Sequence, residues 1–172
     1  PGHKSILKTV NDASGFEIAL LGDKPKKSVD FYIANPQTTS ITTGNSIYME
    51  KTMYFDSRYL IKLPMLTLDS LVKKRNLKNI DFIKIDTQGS ELKILKGGKK
   101  TVTKTEFILL ETQNLEYNKK APFTEDVIIA MKGYGFRLYD ILETHYLPTG
   151  ELFQVDLLFV KKNSKYMKRG KL

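Results

Sequence analysis

Apolar residues recur every three to four positions in some segments and every second position in others, which predicts a domain of mixed α-helices and β-strands. A short helical stripe occupies residues 3–11. Residues 16–21, which are apolar except for Glu17, are typical of a buried strand, and residues 28–34 alternate as a half-exposed strand does. The later predicted elements are a helix capped by Thr67, a strand at 81–86, a helix capped by Ser90, a strand at 106–111, a helix capped by Thr124, and strands at 136–143 and 152–161.

The order of these elements predicts the fold class. Strands and helices alternate through the middle of the chain, which is the pattern of a parallel sheet with helices on its faces. Only a short turn at residues 148–150 separates the last two strands, so these strands must pair antiparallel. The sequence therefore predicts an α/β fold whose sheet is mostly parallel and has an antiparallel last strand.

Residues 35–65 do not follow either period. Proline, glycine and a run of serines and threonines interrupt this segment, and aromatic residues recur at Tyr48, Tyr54, Phe55 and Tyr59. An irregular loop of about 30 residues is uncommon in a compact domain and is often functional. We interpret the segment as a lid or binding insert. A connection that packs on the body and carries one short strand is equally compatible with the pattern.

Composition and charge limit the function classes. The 172 residues are 41% apolar and 27% charged, which indicates one ordinary globular domain, and the absence of cysteine excludes disulfides, cysteine–metal sites and a catalytic thiol. No apolar run reaches the ~20 residues of a membrane span, and no secretory signal opens the chain, so we expect a cytoplasmic protein. We divide the chain into a domain at 1–162 and a basic tail at 163–172.

The net charge of +9 is concentrated near the end of the chain, where residues 161–172 carry six basic residues and no acid. Such an end is usually a solvated tail, and contact with phosphate or anionic lipid is the alternative. Only four of the basic residues are arginine, the residue that phosphate and base-edge recognition favours. The sequence therefore disfavours specific nucleic-acid binding.

Acidic residues follow the predicted strands where ligands bind in an open parallel sheet, outside the carboxyl ends of the strands. Asp86 ends one central strand, Glu111 ends the next, and Gly22 and Asp23 follow the first. Glu91 begins the helix that opens on the same edge. Each acid also has a structural interpretation: Asp86 as a loop cap, Glu91 as a helix-dipole partner, and Glu111 as the partner of a lysine.

Two further ionisable residues lie near the last two strands. Asp156 lies within an apolar run, where a charge needs a partner, and we interpret it as structural rather than catalytic. His145 could serve as a base, although a single exposed histidine more often has no such role. The three strand-end acids could hold Mg²⁺ through oxygen ligands, but their spacing is not diagnostic, so the sequence predicts no metal site.

Residues 82–91 read Phe-Ile-Lys-Ile-Asp-Thr-Gln-Gly-Ser-Glu, which resembles the signature of FkbM-type methyltransferases. Further segments resemble this family in the same order along the chain over residues ~16–162. They are 19–23 (Ala-Leu-Leu-Gly-Asp), 67–71 (Thr-Leu-Asp-Ser-Leu), 92–98, 108–111, Tyr117 with Ala121 and Pro122, 135–136, and 154–160.

The resemblance implies an S-adenosylmethionine-dependent O-methyltransferase with a Rossmann-like class I sheet, acting on a hydroxyl of a sugar or other small metabolite. It makes Asp86 the first candidate for a base or acceptor-orienting group, followed by Glu91 and Glu111. It places Gly22 and Asp23 beside the adenine of the cofactor, and assigns Asp86 and Gln88 to the cofactor site as well.

The chain departs from the family pattern at its start. The glycine-rich turn and the ribose-binding acid of such enzymes are not found, and residues 1–10 resemble the helix after that acid, so we interpret the domain as truncated at its N-terminus. Exposed sheet edges would then favour a homo-oligomer. Two alternatives stay open: a non-enzymatic glycan- or protein-binding module derived from this fold and, with less support, a basic nucleic-acid binder that uses the tail.

Overall fold

The computed structural model describes residues 15–35 and 44–167, without the side chain of Ser57. The predicted helical stripe at 3–11 and the end of the basic tail at 168–172 lie outside the described residues. The strands are β1 (Leu20–Leu21), β2 (Lys26–Ala34), β3 (Phe55–Leu66), β4 (Phe82–Ile85), β5 (Phe107–Gln113), β6 (Phe136–Tyr146) and β7 (Leu152–Lys161). The helices are α1 (Leu68–Lys74), α2 (Glu91–Gly97), α3 (Lys99–Val102) and α4 (Thr124–Gly133).

The strands form two sheets, with the orders β1-β3-β2 and β4-β5-β7-β6. In the second sheet β4 is parallel to β5, whereas β7 is antiparallel to both β5 and β6. The predicted α/β class and the antiparallel last strand are confirmed. Both sheets are mixed rather than mostly parallel, because β2 and β3 also pair antiparallel. Among the described residues, no helix is long and apolar enough to cross a membrane.

The segment predicted to be irregular contains β3, a strand of twelve residues in the middle of the three-stranded sheet. Pro64, which argued against a strand, lies where the register shifts between the pairs Lys26–Met65 and Val29–Leu63. A proline is tolerated at such an irregularity because its missing N–H breaks no regular ladder. The alternative that this segment carries a strand is therefore correct for residues 55–65, although the strand is long rather than short.

The strand predicted at residues 16–21 is wrong over most of its length. Only Leu20 and Leu21 pair, both with β3, while Phe16 is 51% exposed and Ile18 is 70% exposed. Apolar composition suggested burial, but a strand also needs a neighbour to hydrogen-bond with. Among the described residues, no neighbouring strand pairs with residues 16–19.

Helix boundaries follow the predicted caps with small differences. Thr67 caps α1, and its side chain accepts a hydrogen bond from the Ser70 backbone, as predicted. Ser90 precedes α2, but its hydroxyl lies 3.0 Å from that of Thr87 and makes no capping bond. Thr124 was predicted as the cap of α4, yet it is the first helical residue and Phe123 precedes it.

The hydrophobic core lies between one face of the four-stranded sheet and helices α2, α3 and α4. Alternate strand residues point into it, as the period of two requires. The buried set includes Ile85, Ile108, Leu110, Leu157 and Phe159 from the strands, and Leu95, Val102, Val127 and Met131 from the helices. The same alternation places Lys84, Asp86, Glu111 and Asp156 on the opposite face.

Candidate active site

The loop after β4, residues 86–90, is organised by a buried carboxylate. Glu91 is 4% exposed, and its Oε1 accepts hydrogen bonds from the Thr87 backbone at 3.0 Å, the Thr87 hydroxyl at 3.0 Å and the Gly89 backbone at 3.1 Å. Burial raises the pKa of Glu91, and these hydrogen bonds oppose the rise. The side chain therefore holds the loop and does not face the rim of the sheet.

Glycine is required at the centre of this loop. Gly89 has a φ of +101°, a region that other residues rarely adopt, and a Cβ there would collide with the Cβ of Ala121. On another side, the Ser46 hydroxyl donates to the carbonyl of Gln88 at 2.9 Å. The loop is thus clamped between two segments that are distant in sequence.

Two predicted acids lie side by side on the sheet: Asp86 directly follows β4, whereas Glu111 lies within β5, two residues before the end of that strand. Asp86 is exposed, and its Oδ2 lies 3.3 Å from the Lys84 Nζ. The Gln88 amide donates to Glu111 Oε2 at 2.6 Å and lies 3.5 Å from Asp86 Oδ1. Burial raises the pKa of Glu111 to about 8, with further contributions from the nearby charges of Asp86 and Asp156.

Asp156 and His145 extend this acidic group onto β7 and β6. Asp156 is paired with Glu111 in register, and ligand atoms of Glu111, His145 and Asp156 all lie within 4.8 Å of one another. The sequence predicted that the Asp156 carboxylate has a structural role and a partner. It accepts no hydrogen bond from the described residues, but the charge of Lys84 lies nearby. Burial raises the pKa of Asp156, while Lys84 opposes the rise.

A cavity of about 280 Å³ opens beside Gln88. Its lining combines aromatic rings with polar side chains: Glu50, Tyr54, Phe55, Gln88, Tyr117 and Gln154. Glu50 is 3% exposed, and burial together with a hydrogen bond to Glu50 raises the pKa of Tyr117. Tyr54 and Phe55, which belong to the segment 35–65, thus line a cavity beside Gln88.

Gly22 and Asp23 are not brought together with the strand-end acids. They follow β1, which belongs to the other sheet, and the Gly22 backbone donates to the Leu66 carbonyl at 2.9 Å. A Cβ on Gly97 would collide with the Gly22 carbonyl, which places Gly22 at the end of α2 opposite Glu91. The six residue steps from Glu91 to Gly97 separate the two ends by about 9 Å.

The sequence did not reveal two buried residues that support the loop. Ser46 is 41 residues from Thr87, whose carbonyl it also approaches, and no local pattern marks it. Asn118 is buried, and its amide lies 3.5 Å from the Gln88 Oε1. Its own Oδ1 has no hydrogen-bond partner among the described residues. Only the fold brings these side chains to Gln88.

A sequence profile of the methyltransferase FkbM domain matches residues 9–138, which is more than half of the chain. The chain belongs to the FkbM methyltransferase domain family. This match confirms the family that the signature at 82–91 indicated. Asp86, Glu91 and Glu111 all lie within the matched residues.

A curated relative extends the comparison. The FkbM domain is 43% identical over 49 residues to a protein named 2-O-methyltransferase NoeI from Sinorhizobium fredii. The aligned segment is 28% of this chain and spans 20% of that relative. No solved structure matches the chain significantly.

Proposed function

We propose that this FkbM domain takes part in the transfer of a methyl group from S-adenosylmethionine to a hydroxyl oxygen. The observation that carries the proposal is the exposed carboxylate of Asp86 at the end of β4, beside Gln88 and Glu111. The family supports methyl transfer, and the relative named a 2-O-methyltransferase supports oxygen as the acceptor atom.

The described residues fit the reacting end of the cofactor better than its adenine end. Asp86 and Gln88 would hold that end, because a carboxylate and an amide suit the polar amino-acid part of the molecule. Gly22 and Asp23 lie with the other sheet, so we assign no adenine contact to them. When bound, the cofactor supplies a methyl group made electrophilic by a positively charged sulfur.

Asp86 is the proposed catalytic residue. Its exposed carboxylate would accept a hydrogen bond from the acceptor hydroxyl and orient the oxygen. It would take the proton as the new carbon–oxygen bond forms and the bond between the methyl carbon and sulfur breaks. Glu111, whose pKa burial and the nearby carboxylates raise to about 8, lies beside Asp86. The Gln88 amide, between the two acids, keeps them in place.

Glu91 has a different proposed role. Its carboxylate is buried and already accepts three hydrogen bonds within the loop, so it has no reach to a ligand. We assign it as a positioning residue that holds Thr87 and Gly89, and through them Gln88, in the conformation the site requires. Its effect on catalysis is therefore indirect.

The cavity beside Gln88 is the proposed acceptor site. Sugars bind where aromatic rings pack on their apolar faces and polar groups meet their hydroxyls, and Tyr54, Phe55, Glu50 and Gln154 offer both. We therefore propose a sugar or a similar polyhydroxylated metabolite as the acceptor. The segment 35–65 would act as the binding insert.

We further propose that the four-stranded sheet is the acceptor side of a Rossmann-like class I sheet. The support is the antiparallel last strand β7, a feature that the family resemblance implies. In this proposal residues 1–162 belong to one domain and residues 163–172 form the basic tail.

The test of the proposed function uses the intact protein and S-adenosylmethionine with a tritiated methyl group. Transfer is measured to a panel of sugars with free hydroxyls. We expect Asp86→Asn to lower kcat by about 10²–10⁴-fold, because the proton acceptor is lost. Asp140→Asn is the matched control, since Asp140 is an exposed aspartate of β6 whose carboxylate accepts a bond from the Ile141 backbone.

Two results would contradict the proposal. Unchanged kcat in Asp86→Asn would remove the assigned role of this carboxylate. An intact protein that binds the cofactor in calorimetry but methylates no hydroxyl would favour the binding-module alternative.

A further inference from the structure

Three metal-ligating side chains meet on the sheet face beside the proposed site. Glu111 on β5, Asp156 on β7 and His145 on β6 each offer one ligand atom, and these atoms lie within 4.8 Å of one another. The three strands are hydrogen-bonded neighbours in one sheet. The backbone that carries the cluster is therefore held by regular pairing rather than by loops.

Strand register forces acidic residues together here. Asp156 lies opposite Glu111 across β5 and β7, and opposite Glu143 across β7 and β6. Like charges directly opposite each other destabilise a sheet. With Asp86, four carboxylates gather near one described lysine, Lys84, which lies 3.3 Å from the Asp86 carboxylate. The carboxylates outnumber this lysine, so its charge offsets theirs only in part.

The Asp156 side chain is buried and accepts no hydrogen bond from the described residues. It is only 8% exposed, and its carboxylate faces Glu111 and His145. Within residues 15–35 and 44–167, no N–H or O–H group donates a hydrogen bond to that carboxylate. The charge of Lys84 offsets only part of the cost of burying this carboxylate, and a bound cation would offset more of it.

We propose that Glu111, His145 and Asp156 bind one divalent transition-metal cation, Mn²⁺ or Zn²⁺. One imidazole nitrogen with two carboxylate oxygens suits these ions, whereas Mg²⁺ prefers oxygen ligands alone. Ligands at ~2.0–2.2 Å from one ion lie at most about 4.4 Å apart, so small side-chain rotations close the site. The Glu143 Oε1, 3.7 Å from the His145 Nε2, would orient the imidazole.

The cation site goes beyond the proposed methyl transfer and is tested without cofactor or acceptor. The intact protein is titrated with Mn²⁺ and free Mn²⁺ is followed by electron paramagnetic resonance. We expect one bound Mn²⁺ per chain. Electron spin-echo modulation should contain the nitrogen coupling of a coordinated imidazole.

Variants separate the ligands from the surroundings. His145→Gln should abolish the nitrogen coupling and weaken binding at least tenfold, and Asp156→Asn should weaken it by about 10–100-fold. Asp140→Asn, another acid on β6 outside the cluster, should bind Mn²⁺ as the unmodified protein does. Circular dichroism establishes that each variant is folded, and the nearly isosteric Asp156→Asn decides the test if His145→Gln does not fold.

The proposal is overturned if the intact protein binds no Mn²⁺ at millimolar concentration. It is also overturned by bound Mn²⁺ without nitrogen coupling, or by unchanged binding in both ligand variants. None of these results bears on methyl transfer, which the Asp86 variant tests, so failure of the two proposals is distinguishable.

Discussion

The substitution Glu111→Gln tests the electrostatics of the strand-end acids. Burial and neighbouring carboxylates raise the pKa of Glu111 from 4.5 to about 8 in the folded protein. Below pH 4.5 the side chain is neutral in both the folded and the unfolded states, so it carries no penalty. Between pH 4.5 and 8 the unfolded state releases the proton and the folded state keeps it, so stability is lost as the pH rises.

The magnitude follows from the size of this shift and from the exposure of the side chain. A fully desolvated group shifted this far would cost roughly 5 kcal/mol above pH 8. Glu111 is only partly buried, so solvent screens the penalty and we expect about 1–2 kcal/mol. Glutamine keeps the size of the side chain, can still accept the Gln88 hydrogen bond, and carries no charge at any pH.

The assay is thermal unfolding followed by circular dichroism between pH 4 and 9, with a chelator present to exclude bound cations. We expect the Tm of Glu111→Gln to match that of the unmodified protein near pH 4 and to exceed it by about 3–6 °C above pH 8. Glu151→Gln, an exposed glutamate at the turn before β7, is the matched control and should show no such trend.

Two outcomes would refute this reasoning. A Tm difference that does not change with pH would mean that the carboxyl is not perturbed by its surroundings. A Gln variant that is less stable at pH 8.5 would mean that the charge of Glu111 is compensated in the folded protein.

Two further predictions concern glycines, and thermal unfolding measures both. Gly89→Ala should cost at least about 2 kcal/mol, because its φ is +101° and a Cβ would collide with Ala121; an unchanged Tm would contradict the clamped loop. Gly97→Ala should cost about 1–3 kcal/mol, because a Cβ would meet the Gly22 carbonyl, whereas Gly133→Ala, with open space around it, should stabilise α4 by about 0.5–1 kcal/mol. Equal effects of the two substitutions would count against the close approach at Gly22.

Local sequence determined the helices and strands that depend on short-range patterns. The cap at Thr67 needs only a hydroxyl three residues before Ser70, and the structure contains that bond. Asp86 and Glu111 were predicted to lie together because each was expected to end one of two adjacent strands. The strands β4 and β5 are indeed parallel neighbours, although β5 continues past Glu111 to Gln113. The signature at 82–91 was sufficient to indicate the family, since its residues are contiguous in the chain.

Tertiary structure decided the features that depend on partners far along the chain. The sequence did not predict β3, because Pro64 argues against a strand. A proline is tolerated there because the register of β3 with β2 is irregular at that point, and only the structure shows this irregularity. Phe16 and Ile18 are apolar but exposed, because burial depends on a neighbour that the pattern cannot specify. Asp156 faces Glu111 only through the pairing of β5 with β7, which the sequence of neither strand contains. A period of two tells which residues share a face, but long-range pairing alone decides which strands, and therefore which charges, lie side by side.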